Sequence, residues 1–239
     1  MSEMETNKTH HVDALEFIKS FDGKVDLIVS DPPYEFQAMG GGIHRIGRGE
    51  VKYQNIIDIE TNHFDFDKYI PPMLSMMGDK VNAYFFCNKT LVPKYLTEAV
   101  RGGLHFDILC IRKTNPIPAK NSSYCPELEY IIFLRSPGVY FDGSRKLQNY
   151  KKVFDVNIGG EENIHPNQKP VELIRRFIEN SCPIGGVVFD PFMGSGTTGV
   201  AAVQTGRKFI GCEINPKFVE MSNTRTATQK NQNNMSKFI

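Results

Sequence analysis

The residues Asp31-Pro32-Pro33-Tyr34, in the stretch LIVSDPPYEF, place a carboxylate, a carbonyl and an aromatic ring directly after an apolar run. Proline fixes its own φ and holds the preceding residue extended, so Asp31 and Pro32 are both constrained. The carboxylate of Asp31, the carbonyl of Pro32 and the ring of Tyr34 should therefore project from a strand tip in a nearly fixed arrangement. Since such a turn can also simply cap a strand, its purpose depends on the rest of the sequence.

A glycine pattern in GGVVFDPFMGSGTTGVAA is the second feature that suggests a functional site. Gly194, Gly196 and Gly199 form G-x-G-x-x-G after a predicted strand and at the start of a predicted helix. Glu213 follows about 20 residues further on, at the end of the next strand, which is the context that makes this pattern informative. The glycines allow a ligand to approach the backbone, and the acid can accept both hydroxyls of a ribose. The pattern predicts a nucleotide site.

Asp190, which precedes these glycines, bears on which nucleotide the site takes. A carboxylate at this position would repel a pyrophosphate, but it would attract the ammonium and sulfonium groups of S-adenosylmethionine. Electrostatics therefore favours a methyl donor over a nicotinamide dinucleotide.

Short, nearly continuous apolar runs alternate with helix-like segments along the chain. The runs are rich in Val, Ile and Phe, as strands covered on both faces should be. This alternation predicts an α/β fold with a Rossmann-like, doubly wound and mostly parallel sheet. Residues 1–239 are expected to form a single domain, with loop insertions at about 35–54 and 136–163. The predicted strands are 25–30, 82–87, 106–112, 129–134, 185–190 and 208–214.

Composition narrows the class of protein further. The chain has 239 residues, of which 40% are hydrophobic and 23% charged, and its net charge of +1 does not indicate a nucleic-acid partner. No apolar run reaches the roughly 20 residues of a membrane helix. The five cysteines form no C-x-x-C pair, which predicts free thiols in a reducing cytoplasm and no metal site.

Four motifs together, DPPY, HPNQKPVELI, DPFMGSGTTGVAA and GCEINP, resemble the amino-methyltransferases of DNA. Their order is similar to that of the permuted, beta-class group, in which the catalytic motif precedes the cofactor loop. The resemblance extends from about Asp13 to Phe218. It implies an S-adenosylmethionine-dependent methyltransferase that acts on the exocyclic N6 amine of adenine in double-stranded DNA.

The resemblance also implies roles for individual residues. Asp31 and Pro32 would accept the two N–H bonds of the amine, Pro33 would keep them rigid, and Tyr34 would stack on the flipped-out base. Lys169 would meet the carboxylate of the donor. The residues expected to line the cofactor are Asp13, Asp31, Asn167, Gln168, Lys169, Asp190, Phe192, Gly194, Ser195, Gly196, Thr197 and Glu213.

Basic residues in two loops are the candidates for contact with DNA. The region between Phe133 and His165 is short for a target-recognition segment, which favours a short recognition sequence and leaves open a homodimer or a partner chain. The enzyme is expected in the cytoplasm of a bacterium, or of a host cell if it is phage-encoded. The candidate DNA contacts are Arg45, Arg48, Arg145, Lys146, Lys151 and Lys152.

Several alternatives remain open at the level of sequence. The acceptor could be the N4 amine of cytosine by the same mechanism, although members of that subgroup more often have serine where this chain has Asp31. RNA or a protein glutamine is also an open acceptor. A nicotinamide-dependent oxidoreductase would use the same glycines and Glu213, but it leaves DPPY unexplained. Stabilisation of the fold by S-adenosylmethionine but not by NAD would exclude the oxidoreductase.

Overall fold

A computed structural model describes residues 5–33, 64–116, 124–157 and 169–235, which share one eight-stranded sheet. Among these residues β5 is the one antiparallel strand, and the other strands run parallel to one another. The strands are β1 (Lys8–His11), β2 (Leu27–Ser30), β3 (Asn82–Cys87), β4 (His105–Lys113), β5 (Leu128–Arg135), β6 (Val153–Val156), β7 (Val187–Asp190) and β8 (Lys208–Glu213).

The order of the strands places β2 near the centre of the sheet. The order is β1-β8-β7-β2-β3-β5-β4-β6, so β2 lies between β7 and β3. Ile28 pairs with Phe189 on one side and with Ala83 on the other. Because β2, β7 and β8 are parallel, their carboxyl ends lie at the same edge of the sheet. Asp31, Asp190 and Glu213 all lie at that edge.

Helices cover both faces of the sheet and create two hydrophobic cores. Phe17, Ile70 and Tyr95 are buried on one face, and Phe177 and Ala201 on the other. This double coverage explains why the strands read as continuous hydrophobic runs, and all six residues of β3 are buried. The helices are α1 (Ala14–Ser20), α2 (Phe66–Ser75), α3 (Val92–Arg101), α4 (Val171–Ser181), α5 (Thr197–Gln204) and α6 (Pro216–Met235), with a short 3₁₀ turn at Leu147–Tyr150.

The six strands expected from the sequence are all present, but two edge strands were not predicted. β1 has the polar sequence KTHH, in which only Thr9 is buried, and it is held by backbone pairing with β8. β6 falls within the segment expected to be a loop insertion, 136–163, and pairs with β4. Edge strands need little hydrophobic pattern because one neighbour supplies their hydrogen bonds. The other expected insertion, 35–54, lies outside the described residues.

No helix in the described part of the chain combines the length and the apolar character that crossing a bilayer requires.

Tyr84 in β3 joins the sheet to α4. Its ring is stacked between Phe133 of β5, with centroids 4.1 Å apart, and Phe177 of α4, with centroids 4.3 Å apart. Its buried hydroxyl lies 2.8 Å from the Ser181 hydroxyl. The stack fixes α4 against the sheet, and α4 begins two residues after Lys169.

Removal of this stack should destabilise the fold. Tyr84→Ala is expected to lower the free energy of unfolding by about 3–5 kcal/mol, because truncation of a buried aromatic ring leaves a cavity. Urea denaturation measures the change. Tyr124→Ala is the matched control, since Tyr124 is 98% exposed, and should change stability by no more than about 0.5 kcal/mol. Equal stability of the two variants would contradict the role of the stack.

Candidate active site

Asp31 follows β2 at the carboxyl edge of the sheet, and its two carboxylate oxygens have different surroundings. Oδ2 lies 3.0 Å from Nζ of Lys169. Oδ1 is buried and has no hydrogen-bond partner among the described residues. Burial raises the pKa of Asp31, against the opposing effect of Lys169. A buried acceptor without a donor is uncommon in proteins and marks a place where a donor can bind.

Pro32 is buried and Pro33 is exposed. Both follow Asp31 at the strand tip, as the sequence predicts, whereas Tyr34 lies outside the described residues. Asn167 and Gln168 also lie outside them, and so do Arg45 and Arg48.

Lys169 contacts two protein carboxylates at this edge of the sheet, and its contact with the carboxylate of a methyl donor stays a prediction. Its Nζ lies between Oδ2 of Asp31 and Oε2 of Glu129, which is 3.5 Å away, and it lies 5.3 Å from the ring centroid of Phe86. Glu129 also contacts Lys113, at 2.7 Å. Sequence reasoning missed Glu129 because it belongs to no motif. The available signal was an acid near the start of the apolar strand LEYIIFLR.

Asp190 is the buried acid of the glycine loop, only 4% exposed. Its Oδ2 accepts a hydrogen bond of 2.6 Å from the Thr198 hydroxyl, and Oδ1 accepts one of 3.1 Å from the backbone N–H of Phe192. Burial outweighs these hydrogen bonds and raises the pKa of Asp190 to about 7, with small contributions from Asp31 and Glu213. A cation next to this carboxyl would favour its ionised form.

The backbone N–H groups of the loop are largely used within the protein. Gly194 donates to Oε2 of Glu213 at 2.9 Å, Met193 to the carbonyl of Cys212 at 2.9 Å, and Gly196 to the carbonyl of Met193 at 3.0 Å. A pyrophosphate site needs such groups to be open toward the ligand. The loop geometry therefore disfavours the dinucleotide alternative.

The glycines of the loop serve different purposes. Gly196 has φ of +88°, and a Cβ there would lie 2.5 Å from the Ser222 hydroxyl, so it is required for packing against α6. Gly194 has φ of +51° but nothing within 4 Å of a Cβ, so the backbone is open there. Ser195 is held by Arg225, whose Nη1 lies 2.5 Å from its carbonyl and 3.1 Å from its hydroxyl. Thr197 is buried as the first residue of α5.

Glu213 and Asp13 are fixed by hydrogen bonds at neighbouring strand ends. Oε1 of Glu213 accepts from the N–H of Asn215 at 2.8 Å, so both oxygens of this carboxylate meet backbone donors. Each oxygen retains a second lone pair that a ribose hydroxyl can use. Asp13 caps α1 through Oδ1, and its Oδ2 accepts a hydrogen bond of 3.1 Å from the Tyr69 hydroxyl.

Three aromatic side chains form a cluster beside the glycine loop. Phe64, Tyr69 and Phe192 have centroids 5.5–5.8 Å apart. Phe192 was predicted to line the site, whereas Phe64 and Tyr69 were not, because their segment carries no motif. The cluster connects Asp13 to the loop and offers an apolar surface for a planar ring.

Two of the four basic residues in the 143–152 segment form ion pairs within the protein. Arg145 is paired with Glu179 at 2.6 Å, and Lys152 is paired with Asp107. Lys146 and Lys151 are exposed. This segment leads into β6, four strands from β2, which corresponds to about 19 Å across the sheet. The structure therefore does not bring these residues together with Asp31.

Within the described ranges, no group of three or more His, Cys, Asp or Glu side chains is arranged to hold a metal ion.

Comparisons with known proteins find a matching family and several relatives. The N6/N4 methyltransferase family model, described as DNA methylase, matches residues 25–224. The Type II methyltransferase M2.MboI of Moraxella bovis is 30% identical over 234 residues, covering 88% of this chain and 84% of the relative. The Type II methyltransferase M2.DpnII of Streptococcus pneumoniae is 27% identical, covering 93% of this chain and 90% of the relative.

Solved structures share the fold. The M1.HpyAVI–SAM complex matches with a TM-score of 0.66 and 24% identity, covering 91% of this chain and 98% of that one. PvuII DNA methyltransferase, described as cytosine-N4-specific, matches with a TM-score of 0.63 and 17% identity, covering 94% of this chain and 93% of that one. The sheet expected from the sequence is thus the methyltransferase fold.

Because the pKa of Asp190 is raised in the folded protein, the free energy of unfolding should depend on pH. The folded protein holds the Asp190 proton more tightly than the unfolded chain does, so this group favours unfolding increasingly as pH rises from about 4 to about 7. Asp190→Asn keeps the geometry without the charge. The unfolding free energy of the variant minus that of the wild type should rise by up to about 4 kcal/mol between pH 4 and pH 8.

Urea denaturation across this pH range measures the difference. Asp155→Asn is the control, because Arg112 lowers the pKa of that exposed carboxyl and the rise should be absent. A difference that stays constant with pH for Asp190→Asn would contradict the burial of a protonated carboxyl.

Proposed function

The chain belongs to the DNA methylase family of N6 and N4 amino-methyltransferases, and from this premise we propose that it methylates the N6 amine of adenine in double-stranded DNA. The methyl donor of the family is S-adenosylmethionine. The observation that supports an amine as the acceptor is the buried Oδ1 of Asp31 at the tip of β2, which has no hydrogen-bond donor in the part of the chain that the structure describes. An amine that donates there would satisfy it.

The residues around the glycine loop fit the donor. S-adenosylmethionine, when bound, supplies an electrophilic methyl group on a cationic sulfonium. Asp190 is a buried acid that a neighbouring cation would hold ionised. Glu213 would bind the ribose hydroxyls, and the aromatic cluster of Phe64, Tyr69 and Phe192 would pack against the adenine ring. Gly194 leaves the approach to this region open.

Asp31 and Pro32 would activate the acceptor amine. The lone pair of the adenine N6 amine is delocalised into the ring, which makes the amine a poor nucleophile. When Oδ1 of Asp31 and the carbonyl of Pro32 accept hydrogen bonds from its two N–H groups, the nitrogen becomes more tetrahedral and its lone pair more available. These fixed acceptors also stabilise the positive charge that develops on the nitrogen. As the new N–C bond forms and the C–S bond breaks, the nitrogen loses one proton, and Oδ1 is the neighbouring base.

The target base must leave the duplex to reach a strand tip of this kind. Tyr34 is the candidate to stack on the flipped base, and Lys146 and Lys151 remain candidates for phosphate contacts at longer range. The relatives carry the name Type II methyltransferase, which supports methylation of a specific sequence in a restriction–modification system. A homodimer or a partner chain could supply further DNA-binding surface.

The test is incubation of the purified protein with S-adenosylmethionine and unmethylated DNA, followed by nucleoside mass spectrometry. We expect N6-methyladenine, and we expect Asp31→Ala to reduce its formation by at least about 100-fold, as loss of a preorganised charge partner does in other enzymes.

Calorimetry of S-adenosylmethionine binding shows whether this variant still holds the donor. Asp155→Ala, which removes an exposed ion pair with Arg112, is the matched control and should keep full activity. N4-methylcytosine as the product would assign the alternative acceptor, and full activity of Asp31→Ala would overturn the role of Asp31.

A further inference from the structure

Four charged side chains form an alternating row at the carboxyl edge of the sheet. Asp31 contacts Lys169 at 3.0 Å, Lys169 contacts Glu129 at 3.5 Å, and Glu129 contacts Lys113 at 2.7 Å. The row joins the tip of β2 to the ends of β4 and β5 and to the residue that leads into α4. Each charge thus has an opposite charge as its neighbour.

The side chains of the row are partly buried. The Lys169 side chain is 13% exposed, and those of Asp31 and Glu129 are 31% and 29% exposed. Electrostatic interactions are stronger here than on an open surface, because fewer waters screen them. Burial opposes the ionisation of Glu129, but Lys169 and Lys113 together outweigh it and lower its pKa. Glu129 is therefore a stable negative charge that contacts the same Lys169 ammonium as Asp31.

We propose that Glu129 is a positioning residue for amine activation, which acts by sharing the Lys169 ammonium with Asp31. This proposal rests on the proposed function of the same site. Held from two sides, Lys169 stays on Oδ2 and leaves Oδ1 as the acceptor for the amine. Glu129 also offsets part of the positive charge that Asp31 experiences, so the Asp31 carboxylate remains a strong acceptor.

A purely structural role for Glu129 would need only its contact with Lys113. That pair joins β4 to β5 at the end of the ladder, where Arg112 pairs with Leu128, and would stabilise the strands without reference to Asp31. The contact with Lys169 is what connects Glu129 to the site. The two roles therefore differ in whether substitution of Glu129 changes the titration of Asp31.

The direct test is the titration of the Asp31 carboxyl by carbon-13 NMR, with its signal assigned by its loss in Asp31→Asn. Without Glu129 the full charge of Lys169 acts on Asp31, so Glu129→Gln should lower the pKa of Asp31 by at least half a pH unit. Lys169→Gln should change it in the opposite direction, upward. Three further groups whose pKa Asp31 raises are kept constant in this comparison, namely Cys87, Tyr95 and Asp190.

Methyl transfer is the second readout. Glu129→Gln should lower kcat at least about threefold, which corresponds to the half pKa unit expected in the basicity of Asp31, and should leave the affinity for S-adenosylmethionine within twofold. Glu129→Asp, which keeps the charge, should recover part of the loss. Asp155→Asn, which removes the exposed Arg112 pair, is the control and should change neither readout.

The outcomes separate this proposal from the proposed function. An unchanged Asp31 titration in Glu129→Gln overturns the positioning role, even if the wild-type protein methylates adenine. A wild-type protein that does not methylate DNA overturns the proposed function, while the titration still measures the coupling of Glu129 to Asp31. Equal losses of kcat in Glu129→Gln and Lys113→Met, with no change in the titration, would assign Glu129 to the structural pair.

Discussion

The site depends on one constraint, which is that parallel neighbouring strands have their carboxyl ends at the same edge of the sheet. It brings Asp31, Asp190 and Glu213 to the tips of the neighbouring strands β2, β7 and β8. Three carboxylates so placed repel one another and lose solvation, which would destabilise the fold without specific partners. Each has its own: Lys169 for Asp31, the Thr198 hydroxyl and a backbone N–H for Asp190, and two backbone N–H groups for Glu213. The tight turn of the glycine loop, which packs against α6 at Gly196, places the partners of Asp190 and the Gly194 N–H that Glu213 accepts.

The different partners give the three acids different chemistry. Glu213 receives two N–H bonds and is suited to hold neutral hydroxyls. Asp190 is buried with a hydroxyl and one N–H, so its ionisation is costly until a cation approaches. Asp31 shares a lysine with Glu129, and one of its buried oxygens has no donor among the residues that the structure describes. A cationic methyl donor and a weakly nucleophilic amine need acids with different environments. One acid must partly neutralise the donor, while another makes the amine more basic.

The central strands and the conformations of the proline and glycine motifs could be predicted from the sequence, because each depends on one chain segment alone. Central strands carry continuous hydrophobic runs, and the proline and glycine patterns impose backbone conformations that one chain segment specifies alone. The strands β1 and β6 lacked this signal, since backbone pairing with one neighbour holds them. Glu129, Phe64 and Tyr69 were not predicted, because contacts with Lys169 and Phe192, which are distant in sequence, bring them to this region. The same reason applies to Arg145 and Lys152, whose charges predict DNA contacts but whose ion pairs with Glu179 and Asp107 could not be predicted from the sequence. Charge can be read from a sequence, whereas pairing requires the fold.

The structure of a ternary complex would show whether Asp31 and Pro32 hold the target amine. The protein would be crystallised with a non-reactive analogue of S-adenosylmethionine and a duplex that contains its recognition sequence. We expect a flipped adenine whose N6 lies about 3 Å from Oδ1 of Asp31 and from the carbonyl of Pro32, with Lys169 still on Oδ2. An N6 atom that contacts neither oxygen, or a Lys169 ammonium that occupies Oδ1 in the complex, would show that these two residues do not hold the amine.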